Sequence, residues 1–175
     1  LLLVTISYGQ RQETKKIQFG VSYTVTNNSI IFNNPFSAYA SYRLKKWDKL
    51  DISAGFRTFY YNSDRPENFT NKWGFNPNIC ASHNLKDSKL NIYFSLGYYF
   101  DSYVFKPSIS GTMQNPNQDV VSNGFTMTPG LKYFLLSNVY FDTNLTLLNA
   151  KTKDNLNMTS SSNNTFLNFG LGVAF

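Results

Sequence analysis

Hydrophobic residues recur at every second position over most of the chain. The run "KLNIYFSLGYYF" shows it most cleanly, with Leu90, Ile92, Phe94, Leu96, Tyr98 and Phe100 on one parity. "KIQFGVSYTV" places Ile17, Phe19, Val21, Tyr23 and Val25 together, and "PFSAYASYRLK" places Phe36, Ala38, Ala40, Tyr42 and Leu44 together. The same alternation runs through "KLDISAGFRTFYY", "WGFNPNICASHNL", "GFTMTPGLKYFL", "VYFDTNLTLL" and the terminal "TFLNFGLGVAF". A period of two is the signature of a strand with two unlike faces. The pattern predicts eight strands of about ten residues each, the length that carries a tilted strand across a bilayer.

The connections alternate as well. "KKWDK", "KDS" and "LSN" are tight polar turns between strands two and three, four and five, and six and seven. The other connections are long and rich in Asn, Ser, Asp, Gly and Pro: Thr26 to Pro35, Asn62 to Lys72, Asp101 to Asn123 and Lys151 to Asn164. Short turns at one end and long loops at the other define an up-and-down barrel with periplasmic turns and extracellular loops. The predicted fold is all-β, an eight-stranded antiparallel up-and-down transmembrane β-barrel. Within the longest loop, "YVFKPSISGTM" keeps partial alternation and is expected to extend the wall above the membrane. Pro77 and Pro129 each remove a ladder hydrogen bond, and local bulges are expected there.

Composition sharpens this picture. Charged residues make up 15% of the chain, against about a quarter in soluble proteins, while aromatics reach 17%. The second face of the strands carries Gly, Ser, Thr and Asn with isolated charges. An eight-stranded barrel has room inside for side chains and little else. Arg43, Arg57 and Lys132 are expected inside against Asp51, Asp101 and Asp142, a neutral lumen network that acts as a plug of satisfied charges. Cys80, the one cysteine, is expected to be buried on this face. The turn end carries most of the net charge of +6, through Arg11, Lys15, Lys16, Lys45, Lys46, Lys49, Lys86 and Lys89 against Glu13, Asp48 and Asp87. That rim suits anionic lipid headgroups. The loops, Lys72 among them, are nearly balanced. A pI near 9.3 could signal nucleic-acid binding, but the basic residues sit in turns without an aromatic-basic motif, so no nucleic-acid partner is expected.

Aromatics gather at strand ends, as in membrane-interface girdles. Phe59, Tyr60, Tyr61, Trp73, Tyr98, Tyr99, Phe100 and Phe125 mark the loop end, and Tyr42, Trp47, Tyr133, Tyr140 and Phe175 the turn end. "LLLVTISYG" reads as the tail of a secretory signal peptide, residues 1–9, with the barrel domain at 10–175 and the mature chain starting at Gln10.

The chain resembles the small Gram-negative outer-membrane β-barrel proteins of the OmpX/OmpW type, over essentially all of Gln10 to Phe175. Its most specific element is "FLNFGLGVAF", which resembles that family's C-terminal assembly signal: Leu167, Phe169, Leu171, Val173 and the terminal Phe175. The resemblance implies a cell outer-membrane location and recognition by the barrel-assembly machinery. It also implies contact with outer-membrane lipid and lipopolysaccharide, and a monomer with a structural or surface-interacting role through four extracellular loops. An OmpW-like narrow channel for small or hydrophobic molecules is the alternative. A soluble lipocalin-like calyx would need an apolar inside, and its Gly-x-Trp start is absent from "FGVSY". A lipid-A-modifying enzyme would need its histidine near the loop rim, whereas His83, the single histidine, falls near the turn end. No catalytic residue, cofactor or metal is expected.

Overall fold

The computed structural model describes residues 16–27, 32–47, 50–85, 88–106, 117–154 and 158–175. The expected leader remnant and the Gln10 start lie outside them. Among the described residues eight strands run in chain order: β1 (Ile17–Thr26), β2 (Phe36–Trp47), β3 (Leu50–Tyr61), β4 (Lys72–Asn84), β5 (Leu90–Phe105), β6 (Gln118–Phe134), β7 (Val139–Asp154) and β8 (Thr159–Ala174). Each pairs antiparallel with its sequence neighbours, and β1 pairs with β8, so the sheet closes into a barrel. Closure runs from Gln18 opposite Ala174 to Thr26 opposite Phe166. Beyond it, the Phe175 amide donates to the Ile17 carbonyl at 2.8 Å and the Ile17 amide donates back at 3.1 Å. Residues 167–175 are therefore held by ladder bonds on β1, which explains why alternation persists to the last residue.

The two faces divide as the alternation requires. Phe94 and Leu96 on β5 are 46% and 53% exposed, while Ser95 between them is 8% exposed. Phe169 and Leu171 point outward as well, with Gly170 buried between them. Ser22, Thr24, Ser37, Asn76, Cys80, Thr128 and Asn144 all face inward and are buried. An apolar surface on every strand far exceeds the few hundred Å² that a soluble monomer exposes, so hydrocarbon must cover it. The same observation excludes the soluble calyx.

Three expectations need correction. First, the loops expected at Asp101–Asn123 and Lys151–Asn164 are in part wall: β5 continues to Phe105, β6 starts at Gln118, β7 reaches Asp154 and β8 starts at Thr159. Of the stretch expected to extend the wall, Tyr103 to Phe105 do so, and residues 107–113 lie outside the described residues. The ladder holds out to Phe105 opposite Gln118 and Lys153 opposite Thr159. The β7 and β8 extensions are polar on both faces and carry no apolar alternation to read, whereas those of β5 and β6 hold Tyr103, Val104, Phe105, Val120 and Val121 and alternate only in part. Second, the prolines cause no bulge. Pairing lapses at Asn76–Pro77 on the β5 side and at Thr128–Pro129 on the β7 side, yet the register is the same before and after. Each ring removes one donor toward one neighbour, and the other neighbour stays paired. The register shift instead falls in β2, where Arg43 faces Ser53 and Lys45 faces Ile52, leaving Leu44 as the extra residue. Third, Phe59, Tyr61, Tyr99 and Tyr140 are not girdle residues. All four are buried inside the barrel, while Trp73, Tyr98, Phe100, Phe125, Tyr42, Trp47, Tyr133 and Phe175 do face outward.

If hydrocarbon covers the wall, Leu96→Arg should destabilise the barrel by about 2–4 kcal/mol, the cost of a lipid-facing cation near mid-bilayer. Urea unfolding in phospholipid vesicles measures this. A loss near zero would place Leu96 in water.

Candidate functional site

Inward glycines let the interior fill. Gly20 faces Tyr39 across the β1–β2 ladder, Gly130 faces Tyr93, and Gly172 faces Tyr140. Each ring lies so close over its glycine that a Cβ there would overlap it. The three rings surround Lys132 on β6, whose Nζ lies 5.9, 5.0 and 5.1 Å from the centroids of Tyr39, Tyr93 and Tyr140. Such a cage offsets part of the cost of burying an ammonium. Lys132 Nζ also donates to Gln18 Oε1 across the lumen at 2.5 Å, and the Tyr39 hydroxyl donates to that of Tyr140 at 2.8 Å.

Asp142 on β7 stands at the centre. It is 1% exposed and is the ladder partner of Lys132. Its carboxylate lies 3.5 Å from Arg57 Nη2 on β3, the strand diametrically opposite. It also accepts from the Tyr93 hydroxyl at 2.7 Å and from Asn144 Nδ2 at 3.3 Å. Asn144 Oδ1 accepts in turn from Asn168 Nδ2 at 2.7 Å, and Asn168 Oδ1 accepts from Thr24 Oγ1 at 2.5 Å. Nearer the turn end Arg43 lies 3.5 Å from Asp51.

A separate group occupies the loop end. Lys72, the first residue of β4, points inward and meets Asp101 Oδ2 at 3.0 Å. Its Nζ sits 4.9, 4.3 and 5.7 Å from the rings of Phe32, Tyr61 and Tyr103. The Tyr99 hydroxyl donates to Asp101 Oδ2 at 2.7 Å and lies 3.0 Å from that of Tyr61. Beneath them Phe59, Leu148 and Phe166 pack as an apolar floor.

The six ions expected in the lumen thus fall into three places. Arg43 and Asp51 pair near the turns, Arg57 and Lys132 flank Asp142 at mid-barrel, and Asp101 stands at the loop end. The partner of Asp101 is Lys72, which the sequence pattern alone places in a loop. The signal that could have found it is parity: Lys72 shares the even positions of β4 with Gly74, Asn76 and Asn78. Phe59 and Tyr61 share odd parity with Arg57 in the same way, so the ring floor was readable too.

The lumen space is split. A cavity of about 90 Å³ lies among Arg43, Asp51, Arg57, Lys132 and Asp142. A vestibule of about 250 Å³ opens at the loop end around Lys72 and Asp101. No residue lines both. Between them run the side-chain layer around Asn168 and the ring floor. His83 lies at the turn end of β4, opposite Leu50 and Ile92 and away from both cavities. Among the described residues no group of His, Cys, Asp and Glu side chains is placed to hold a metal ion.

A closed eight-stranded barrel with an apolar exterior and a packed polar interior defines a small transmembrane β-barrel. Solved structures share this fold across nearly the whole chain. Ail, the attachment invasion locus protein of Yersinia pestis, aligns with a TM-score of 0.59 at 11% identity, over 92% of this chain and 97% of that one. The N-terminal β-barrel domain of Pseudomonas aeruginosa OprF gives 0.59 at 13% identity, covering 92% and 99%. Neisserial surface protein A gives 0.56 at 14% identity, covering 92% and 97%. No protein-family model matches the chain, and no curated protein matches it in sequence.

Asp142→Asn should cost about 3–5 kcal/mol, because it leaves Arg57 buried without its carboxylate partner. Adding Arg57→Met should recover part of that loss. Urea unfolding of the single and double variants checks the coupling, and simple additivity of the two losses would refute it.

Proposed function

We propose that this chain is an integral outer-membrane barrel, monomeric, non-enzymatic and closed to ions, whose working surface is its loop end. The observation that carries the reading is the crossed lumen. Side chains on non-neighbouring strands bond across it: Arg57 on β3 to Asp142 on β7, Gln18 on β1 to Lys132 on β6, and Tyr39 on β2 to Tyr140 on β7. A pore would need all three contacts to open together, each at the cost of desolvated charge or an unpaired buried donor. The lumen ions Arg43, Asp51, Arg57, Asp101, Lys132 and Asp142 therefore serve as a plug. Likeness of fold to the surface protein of Neisseria and to the attachment protein Ail supports a role outside the cell. In this reading Leu167, Phe169, Leu171, Val173 and Phe175 form the strand that the barrel-assembly machinery recognises. Outer-membrane lipid and lipopolysaccharide contact the apolar wall, and the tall β5–β8 wall carries the surface function.

Two measurements test this. Planar-bilayer recordings of the refolded barrel should show no discrete conductance steps, and reproducible unitary steps would favour the narrow-channel alternative. Trypsin added to intact expressing cells should cut at Lys106, just beyond β5, and spare Lys45 and Lys46. The reverse pattern would invert the orientation.

A further inference from the structure

The six lumen ions sum to zero only while Asp101 is counted with the other five. Asp101 stands at the loop end, where Lys72 neutralises it at 3.0 Å. The other five line the turn-end cavity: Arg43, Arg57 and Lys132 against Asp51 and Asp142. No further carboxylate lines it among the described residues, and Lys16, exposed at the mouth, adds another cation. The excess falls on Lys132. Arg43 meets Asp51 and Arg57 meets Asp142, each at 3.5 Å, whereas Lys132 Nζ donates to the neutral Gln18. Its ladder neighbour Asp142 is shared with Arg57, and its three rings carry no net charge. Lys132 is 8% exposed. An ammonium that deep calls for a counter-charge of its own.

The cavity has room for one. Small side chains on β2 to β5 leave it unfilled: Ser41, Ser53, Gly55, Cys80, Ser82 and Ser95. Gln18, Tyr39, Tyr93 and Lys132 line it as well. One water needs about 10–15 Å³ of such space, so the 90 Å³ here holds a group of several heavy atoms. Asp51 Oδ1, Asn76 Oδ1 and Asn91 Oδ1 lack a partner, but all three are closed off from the space and make no claim on its occupant. A cationic guest would meet three buried cations, and a neutral one would leave the excess standing. An anion with several acceptor oxygens answers both the charge and the hydroxyls, which donate as readily as they accept. We propose that the turn-end cavity binds one small inorganic oxyanion of the phosphate or sulfate type, as counter-ion to Lys132, with Ser41, Ser82 and Ser95 donating to its oxygens. Lys16 draws anions to the mouth. The Arg57–Asp142 contact closes the way onward, so the ion is held and not conducted. Binding does not rest on that closure: bilayer recordings test the closure, and calorimetry tests the site.

The experiment is isothermal titration calorimetry on the detergent-refolded barrel at constant ionic strength, with sodium phosphate, sodium sulfate and sodium chloride as titrants. Phosphate or sulfate should bind saturably at one site per barrel. Chloride, with no array of oxygens for the hydroxyls, should bind about tenfold more weakly. Lys132→Met keeps a long side chain among the rings and removes the charge. It should weaken oxyanion binding about tenfold, the worth of one charge-assisted hydrogen bond. Cys80→Asp puts a carboxylate on the cavity wall as a built-in counter-ion and should weaken binding by a similar factor. The heat-modifiable gel shift shows which variants fold, and either folded variant decides. The proposal is overturned if neither oxyanion saturates the folded parent, if chloride binds as well as they do, or if a folded variant binds them like the parent.

Discussion

The Asp142 carboxylate is the point on which the interior closes. Eight strands enclose a space too narrow for bulk water, so a charge placed there must be answered by side chains. Asp142 answers two cations, Arg57 from the opposite wall and Lys132 from the adjacent strand. It is fixed in turn by Tyr93 and Asn144. Without it two buried cations would share the mid-barrel with no carboxylate between them: Arg57 has no second carboxylate within ion-pair distance among the described residues, and Lys132, held by Gln18 and its three rings, has only its ladder neighbour Asp142 nearby. The neighbouring bonds are arranged around this need. Tyr93 serves Asp142 with its hydroxyl and Lys132 with its ring face, and it can lie where it does because Gly130 offers no Cβ.

The outside of the barrel follows from the same alternation under the opposite solvent rule. A strand in a bilayer gains by showing Leu and Phe to lipid, and every backbone group must find its partner within the wall. Closure provides that, and the reciprocal Phe175–Ile17 bonds complete it at the turn end. The two prolines show how much the ladder tolerates. Each gives up donation to one neighbour, and the two lapses lie on different sides of β5 and β6, so no single seam is weakened twice.

Strand number, topology and facing were all legible in the sequence because they share one cause, the period of two imposed by lipid outside and packing inside. Legibility stopped where that cause stopped. Above the bilayer both faces meet water or a wet vestibule, so residues 151–154 and 159–164 carry no apolar alternation although they are strand, and 101–105 and 118–123 keep only part of it. Lys72 failed for a related reason: as the first residue of β4 it follows a loop-like Asn-rich stretch, and only the parity of residues beyond it reveals its facing. The pairing of ions was out of reach in principle. Arg57 and Asp142 lie 85 positions apart, and their contact depends on the circumference of a barrel that the sequence does not print.

The uneven strand lengths give the loop end its form. β1 to β4 hold 10–13 residues, β5 to β8 hold 16–17. At about 3.4 Å per residue the extra length lifts one side of the rim well above the other. A tall, hydroxyl-rich half-wall alone would be a poor fold element, since its inner face would bury nothing. It is stabilised from the low side, where Phe32 and Phe69 reach across to Tyr103 and Phe105. Phe69 also bridges to Phe105 by backbone pairing. Two of the four rings that brace the tall wall, Phe32 and Tyr103, also line the vestibule. Its shape is a by-product of holding an overlong sheet upright, because the barrel needs those ring contacts for its own stability.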